Sequence, residues 1–376
     1  MSSLQQILDE HHAAGRVPGA LALVAREDAT EVAVVGDRSV GGPPMSRDSL
    51  FRIASITKPI VAAATMVLVE RCVLNLDDPV DDLLPELASP VVLRQANGPL
   101  DDVVPAERPI TVRDLLTLRS GHGFTADVES PVARALQERL QQGRPRPELV
   151  PPADEWMARL GEIPLVHQPG AGWTYNVGSD VLGVLLARAT GNSLTEVLRE
   201  TVFEPVGMSD TGFWSDDAER MTSLYQRADD GFELIDPPDG QWASPPPFES
   251  GAGGLVSTVD DWYAFGQMLL GGGLLRGRQV LSPASVHLMM TNHVEAEPDN
   301  PFLDGQGWGF GGGVDVRLKD PWNVIGRYGW IGGTGTAAYV IPSTGTVVVW
   351  LGQVELTGPD DMSAMVEVLT YAAGVG

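Results

Sequence analysis

The segment that most limits what this chain can fold into is Pro59-Ile60-Val61-Ala62-Ala63-Ala64-Thr65-Met66-Val67-Leu68-Val69. Its proline stands where a first helical turn tolerates one, and no polar stripe follows. The spacing therefore predicts a helix that is apolar on all sides. Such a helix has to be wrapped by other elements, which requires a large interior. Residues 60–69 are too short for a bilayer, which takes about 20 apolar residues, and Glu70 follows at once. The 376 residues suffice for one large domain or two interlocked ones.

Immediately before this helix stands Ser55-Ile56-Thr57-Lys58. Positions i and i+3 share a helix face, so the Ser55 hydroxyl and the Lys58 amine can meet. At a helix N-terminus the unpaired N–H groups and the dipole also favour negative charge developing nearby. The chain has two lysines, Lys58 and Lys319, against 23 arginines. A guanidinium keeps its proton in a protein, whereas a lysine in a low-dielectric pocket can be brought near neutrality. Lysine at this one place therefore reads as a general base beside a nucleophile. Ser-x-x-Lys is a common spacing by itself and gains its weight from context.

The N-terminal region predicts a helix over 4–14 and two β-rich runs, 20–25 and 31–35, joined by an Asp-Ala-Thr turn. From about 75 to 250 the pattern mixes loops rich in proline, glycine and aspartate with helical pieces at 111–118, 132–141, 179–189 and 193–203. Capping signals over 253–261 announce a helix from Trp262 to Leu270. Another begins near Ser282-Pro283. β-Type runs follow at 314–316, 337–341 and 345–350, the last two joined by a hairpin turn, and a closing helix covers 360–373. Strands at both ends suggest an α+β fold with one antiparallel sheet flanked by helices. Residues 1–58 and 251–376 are expected to form that part, 59–250 a mostly helical lobe, with the active site between them. The loop from Asp236 to Pro247 is either a surface linker or a substrate-binding rim.

Charge narrows the partners. Lys+Arg 25 against Asp+Glu 50 leaves −25, so nucleic acid and anionic membranes are repelled. Cys72 is the only cysteine, so no intramolecular disulfide is possible; it is expected to lie inert in the apolar helix. The first residues lack the basic and then apolar regions of a secretory signal, and the expected compartment is the cytoplasm. Neither His-Glu-x-x-His nor a cysteine cluster marks a metal site, and Asp77-Asp78 and Asp81-Asp82 read as solvated loop charges. No Gly-x-Ser-x-Gly elbow supports a Ser-His-Asp triad; His11-His12 are expected on a solvent-facing helix, and His122 and His167 read as hydrogen-bonded loop histidines. The glycine runs 271–273 and 311–313 read as turns.

Phe51-Arg52-Ile53-Ala54-Ser55-Ile56-Thr57-Lys58-Pro59 resembles the nucleophile motif of the penicillin-recognising serine hydrolases, in particular class C β-lactamases and the β-lactamase-like carboxylesterases called family VIII. Further echoes run from Ile110 to Gly121, from Phe203 to Phe213 and from Gly254 to Thr258. The second motif looks like Pro169-Gly170-Ala171-Gly172-Trp173-Thr174-Tyr175-Asn176-Val177, and the resemblance implies that Tyr175 faces the Ser55/Lys58 pair. β-Lactamases usually carry Tyr-x-Asn, whose asparagine touches the lysine and the substrate amide; Val177 stands there instead, with Asn176 as a neighbouring substitute. The third motif looks like Tyr328-Gly329-Trp330-Ile331-Gly332-Gly333-Thr334-Gly335-Thr336. Trp330 replaces the lysine or histidine of Lys-Thr-Gly and His-x-Gly, a form found in the esterase branch.

The resemblance implies a β-lactamase/penicillin-binding-protein-like fold and an acyl-enzyme on Ser55, with Lys58 and Tyr175 moving protons. The backbone N–H groups of Ser55 and Gly333 would form the oxyanion hole. Trp330, Gly332, Asn176 and Val177 would meet the substrate. A tryptophan offers an apolar face and one donor, so the preferred small-molecule ester is neutral at that end, and no cofactor is needed. A β-lactamase or D-amino-acid amidase or peptidase, an acyltransferase, and a silent binding protein are the alternatives; Ser55, Lys58 and Tyr175 together speak against the last.

Overall fold

The computed structural model describes residues 3–26, 29–294, 300, 302–303 and 305–374. Asp28 of the expected first turn lies outside the described residues. The elements that place the site are the helices α1 (Leu4–Ala13), α2 (Lys58–Glu70), α3 (Val177–Thr190), α4 (Val259–Leu270) and α5 (Ser363–Ala373). With them go the strands β1 (Gly19–Arg26), β2 (Ala29–Gly36), β3 (Gln306–Trp308), β4 (Gly313–Asp315), β5 (Tyr328–Gly332), β6 (Thr336–Ile341) and β7 (Thr346–Gly352).

These strands form one seven-stranded antiparallel sheet in the order β3-β4-β5-β6-β7-β1-β2. The two ends of the chain meet inside it, because β1 pairs with β7 from Ala20 opposite Gly352 to Arg26 opposite Thr346. Both faces are covered, which is why β1 and β7 read as unbroken apolar runs rather than alternating ones. Ala20, Ala22 and Val24 pack with Leu4, Ile7 and Leu8 of α1 and with Met365, Val368 and Leu369 of α5. Leu21 and Leu23 belong to the opposite core with Trp262 and Phe265 of α4.

Helix α2 is buried from Lys58 through Leu68, as its composition requires. It packs against α3 and the short helices Leu194–Leu198 and Pro283–Met290. Expected as one helix over 193–203, that stretch is a short α-helix followed by a π-helical turn, Arg199–Phe203. α4 starts at Val259, where Thr258 caps it by accepting from Asp261 N at 3.2 Å. Two expectations are corrected. Cys72 lies beyond the end of α2, exposed and with φ of +57°, rather than inside the helix. His11 is buried, its Nε2 2.8 Å from Glu367 Oε2 of α5, because α1 lies against α5 on the sheet. Among the described residues no helix is long and apolar enough to cross a membrane.

Candidate active site

Ser55 is delivered by a clamped segment. Phe51–Arg52 pairs antiparallel with Val256–Ser257, and Arg52 is buried in an ion pair with Asp236. The chain then makes a 3₁₀ turn, Ala54–Thr57, that runs straight into α2. Ala54 enters it at φ +46°, a left-handed conformation that is uncommon without glycine. From the β5–β6 hairpin, Thr334 Oγ1 donates to Arg52 O at 2.5 Å and Thr336 Oγ1 to Ile53 O at 2.8 Å. A Cβ on Gly332 would lie 2.6 Å from Ile53 O, so glycine is what lets the strand approach this closely. Gly332, expected to touch substrate, is therefore buried against the segment that carries the nucleophile.

Tyr175 is held by two backbone bonds to Phe124 and by aromatic rings, with Phe302 stacked at 5.0 Å and Trp173 at 5.8 Å between centroids. Its hydroxyl donates to Ser55 Oγ at 2.9 Å. The next residue, Asn176, has φ +83° and ψ −64°, and Val177 N donates across it to Tyr175 O at 3.2 Å. That is a γ-turn of the rare strained hand. It turns the Asn176 side chain to Lys58, whose Nζ donates to Asn176 Oδ1 at 2.8 Å. Val177 opens α3 with its side chain fully buried, so its expected substrate contact is excluded and Asn176 alone reaches the lysine.

Lys58 is 1% exposed, and among the described residues three oxygens lie within 2.9 Å of its Nζ, with Tyr175 OH farther off at 3.4 Å. Asn176 Oδ1 and Ala252 O, at 2.8 and 2.7 Å, can only accept hydrogen bonds; Ser55 Oγ, at 2.9 Å, can give or accept. A neutral amine has two N–H groups and one lone pair. The two carbonyl-type acceptors take both N–H groups, and the lone pair is left facing the Ser55 hydroxyl. Burial pushes the Lys58 amine below its ordinary value, opposed by Tyr175 and Asp180. Asp180, buried on α3, is pushed up by burial against hydrogen bonds from Ser250, Gln142 and the Ala252 amide.

Trp330 on β5 is 7% exposed, and its Nε1 donates to Tyr175 OH at 2.7 Å. Its single donor is thus engaged by the phenol, and its ring meets that of Trp308 edge-on, 4.7 Å between centroids. Ser55, Asn176, Asp180 and Gly333 line one cleft with Gln142, Arg144, Arg146, Trp242, Phe248 and Ala252. Trp242 and Phe248 make the 236–250 segment part of the cleft wall, while its first residue, Asp236, anchors Arg52. Trp330, Gly332 and Val177, expected to meet substrate, are absent from that lining, as are His122 and His167; His122 lies 3.0 Å from Ile163 O and burial pushes it down to about 4. Gln142, Asp180 and Ala252 went unrecognised in the sequence. The one available signal was a carboxylate directly before the apolar run Val181-Leu182-Gly183-Val184-Leu185-Leu186 of α3.

A family model described as Beta-lactamase matches residues 4–371. The uncharacterized protein MT1414 of Mycobacterium tuberculosis is 39% identical over 371 residues, covering 94% of this chain and 88% of that protein. Esterase EstB of Burkholderia gladioli is 33% identical over 344 residues, covering 85% and 80%. Among solved structures, EstCE1, a hydrolase with promiscuous acyltransferase activity, superposes with a TM-score of 0.80 at 25% identity, covering 99% of this chain and 97% of its own.

Proposed function

As a member of the β-lactamase family, resembling its family VIII carboxylesterases, the chain is a β-lactamase-fold serine hydrolase, and we propose that it cleaves neutral carboxylic esters through an acyl-enzyme on Ser55. The observation that carries this reading is the set of oxygens around Lys58 Nζ, which leaves its lone pair for the Ser55 proton. Lys58 takes that proton as Ser55 Oγ attacks the ester carbonyl, and the N–H groups of Ser55 and Gly333 receive the oxyanion. As the C–O bond breaks, Tyr175 passes its proton to the leaving alkoxide and recovers one from Lys58, 3.4 Å away. Water then repeats the sequence in reverse roles and frees the acid and Ser55.

Trp330 supports a substrate that carries no anion at that end, since by the resemblance of the third motif it replaces the family's carboxylate-binding lysine, and its donor serves Tyr175. The test is incubation with a fluorophosphonate, expected to give a single adduct on Ser55 by mass spectrometry. A chromogenic butyrate ester is then expected to outrun a chromogenic cephalosporin by orders of magnitude. No adduct, or a preferred cephalosporin, defeats the reading. Acyl transfer to an alcohol is a second reading, supported by the likeness to EstCE1 and by the apolar cleft wall of Pro145, Pro147, Trp242 and Phe248. It differs only in which hydroxyl deacylates Ser55, and ester product formed when alcohols are added distinguishes it.

A further inference from the structure

We propose that Asp180 is a positioning residue: acting through Gln142 and Asn176, and through the Ala252 backbone whose N–H it holds, it turns two accepting oxygens to Lys58 and so reserves the third direction of Nζ for Ser55. The inference rests on the esterase reading. Asp180 is 1% exposed and lies on the same helix that Asn176 precedes. One carboxylate oxygen, Oδ2, accepts from Gln142 Nε2 at 2.8 Å. Gln142 Oε1 accepts from Asn176 Nδ2 at 2.8 Å, and Asn176 Oδ1 accepts from Lys58 Nζ at 2.8 Å. The other oxygen, Oδ1, accepts from Ser250 Oγ at 2.6 Å and from Ala252 N at 3.0 Å, while Ala252 O accepts from Lys58 Nζ.

The direction of this network follows from donor and acceptor chemistry. A carboxylate only accepts, whereas a primary amide has one end that accepts and one that donates. Asp180 therefore forces Gln142 to turn its NH₂ inward and its oxygen to Asn176. That in turn forces Asn176 to turn its NH₂ to Gln142 and its oxygen to Lys58. Reversing the first partner reverses every amide after it, and the last would turn an NH₂ to Lys58. An NH₂ there competes with Ser55 for the lysine lone pair and removes an acceptor that fixes the amine. A carboxylate that served only as ballast in the core, or only as a distant counter-charge, has no such direction.

The direction makes a swap the decisive experiment. Asp180→Asn keeps the shape but places an NH₂ against the Gln142 NH₂, which flips the relay. Adding Gln142→Glu exchanges carboxylate and amide between the two positions. The amide now at position 180 can donate to the carboxylate now at position 142, that carboxylate accepts from Asn176, and the Asn176 oxygen faces Lys58 again. Steady-state hydrolysis of 4-nitrophenyl butyrate and the rate of fluorophosphonate labelling are the readouts, with thermal unfolding as the check of fold. Asp180→Asn is expected to lower kcat on the order of 100-fold with little change in KM, the scale of a misplaced catalytic group. Asp180→Asn with Gln142→Glu is expected to recover about tenfold or more of that loss. Wild-type kcat in Asp180→Asn, or a folded double variant no faster than the single one, overturns the inference. Should Asp180→Asn fail to fold, Gln142→Leu breaks the same link at the cleft wall, and an unchanged kcat there overturns it. An inert Ser55 in the wild type sinks the esterase reading and this inference together; an active wild type with an equally active Asp180→Asn sinks the inference alone.

Discussion

Lys58 and Arg327 are both about 1% exposed, and the fold treats their charges in opposite ways. Arg327 lies between the rings of Trp322 and Tyr339, its guanidinium carbon 4.3 and 4.2 Å from their centroids. Asp315 touches it directly, with Nε 3.0 Å from Oδ2 and Nη2 donating to Oδ1 at 3.2 Å, and Nη1 donates to Trp322 O at 2.7 Å. Around Lys58 the direct hydrogen-bond partners are neutral, and Asp180 is reached only through an amide chain or the backbone of Ala252. A carboxylate in contact would hold the amine's proton, as Asp315 is free to do for a guanidinium that never loses one. Burial plus distance from the carboxylate is what separates a cation that holds a sheet together from an amine that can lend its lone pair.

The largest expected effect breaks this contrast at its centre. Lys58→Arg preserves a cation but removes the basic nitrogen beside Ser55, and kcat/KM for 4-nitrophenyl butyrate is expected to fall at least about 1000-fold. A variant that retained a tenth of the wild-type rate would show that position 58 is not the base.

Next comes the pH dependence. The base works deprotonated, so kcat/KM rises as pH rises through the Lys58 ionisation, changing about tenfold per unit on the limiting side. Burial lowers that ionisation, which moves the rise to lower pH. The plateau is expected well below about pH 10.4, the ordinary value for lysine. A limb centred at or above that value would mean that Lys58 rests as a cation and the lone-pair argument is wrong.

How much of this was legible depended on whether the signal was local. Ser55 and Lys58 were readable because one helical turn brings them together, and α2 because the run from Pro59 to Val69 left no solvent face. The sheet's two-sided burial was readable in the valine runs of β7. Asn176 was only half legible. Tyr-x-Asn had become Tyr-Asn-Val, and whether an asparagine one place early reaches the lysine depends on a strained γ-turn, which no spacing rule displays. Trp330 was recognised, but its hydrogen bond from Nε1 to Tyr175 was not, because it joins residues 155 positions apart. The glycines 311–313, read as a turn, include Gly311, where a Cβ would sit 2.6 Å from Lys58 O; the close approach to α2 is visible only in three dimensions.

The smallest expected effect on catalysis sharpens the comparison from its other side. Arg327→Lys keeps a positive charge near Asp315 but gives up the planar face between Trp322 and Tyr339 and the two-atom contact with the carboxylate. Arg327 adjoins β5, the strand of Trp330, yet its hydrogen bonds go to Asp315 and Trp322 rather than to the residues that surround Ser55. The rate per active site, counted by fluorophosphonate titration, is therefore expected to stay within about twofold of wild type. Stability is expected to fall by about 2 kcal/mol, read as a lower midpoint of chemical unfolding, since a buried pair with poorer geometry no longer offsets its desolvation. Lys58→Arg and Arg327→Lys are the same exchange in opposite directions, one harming the chemistry and the other the fold. Equal losses of rate in the two variants would mean that lysine at 58 is an accident of composition rather than the place where a proton must leave.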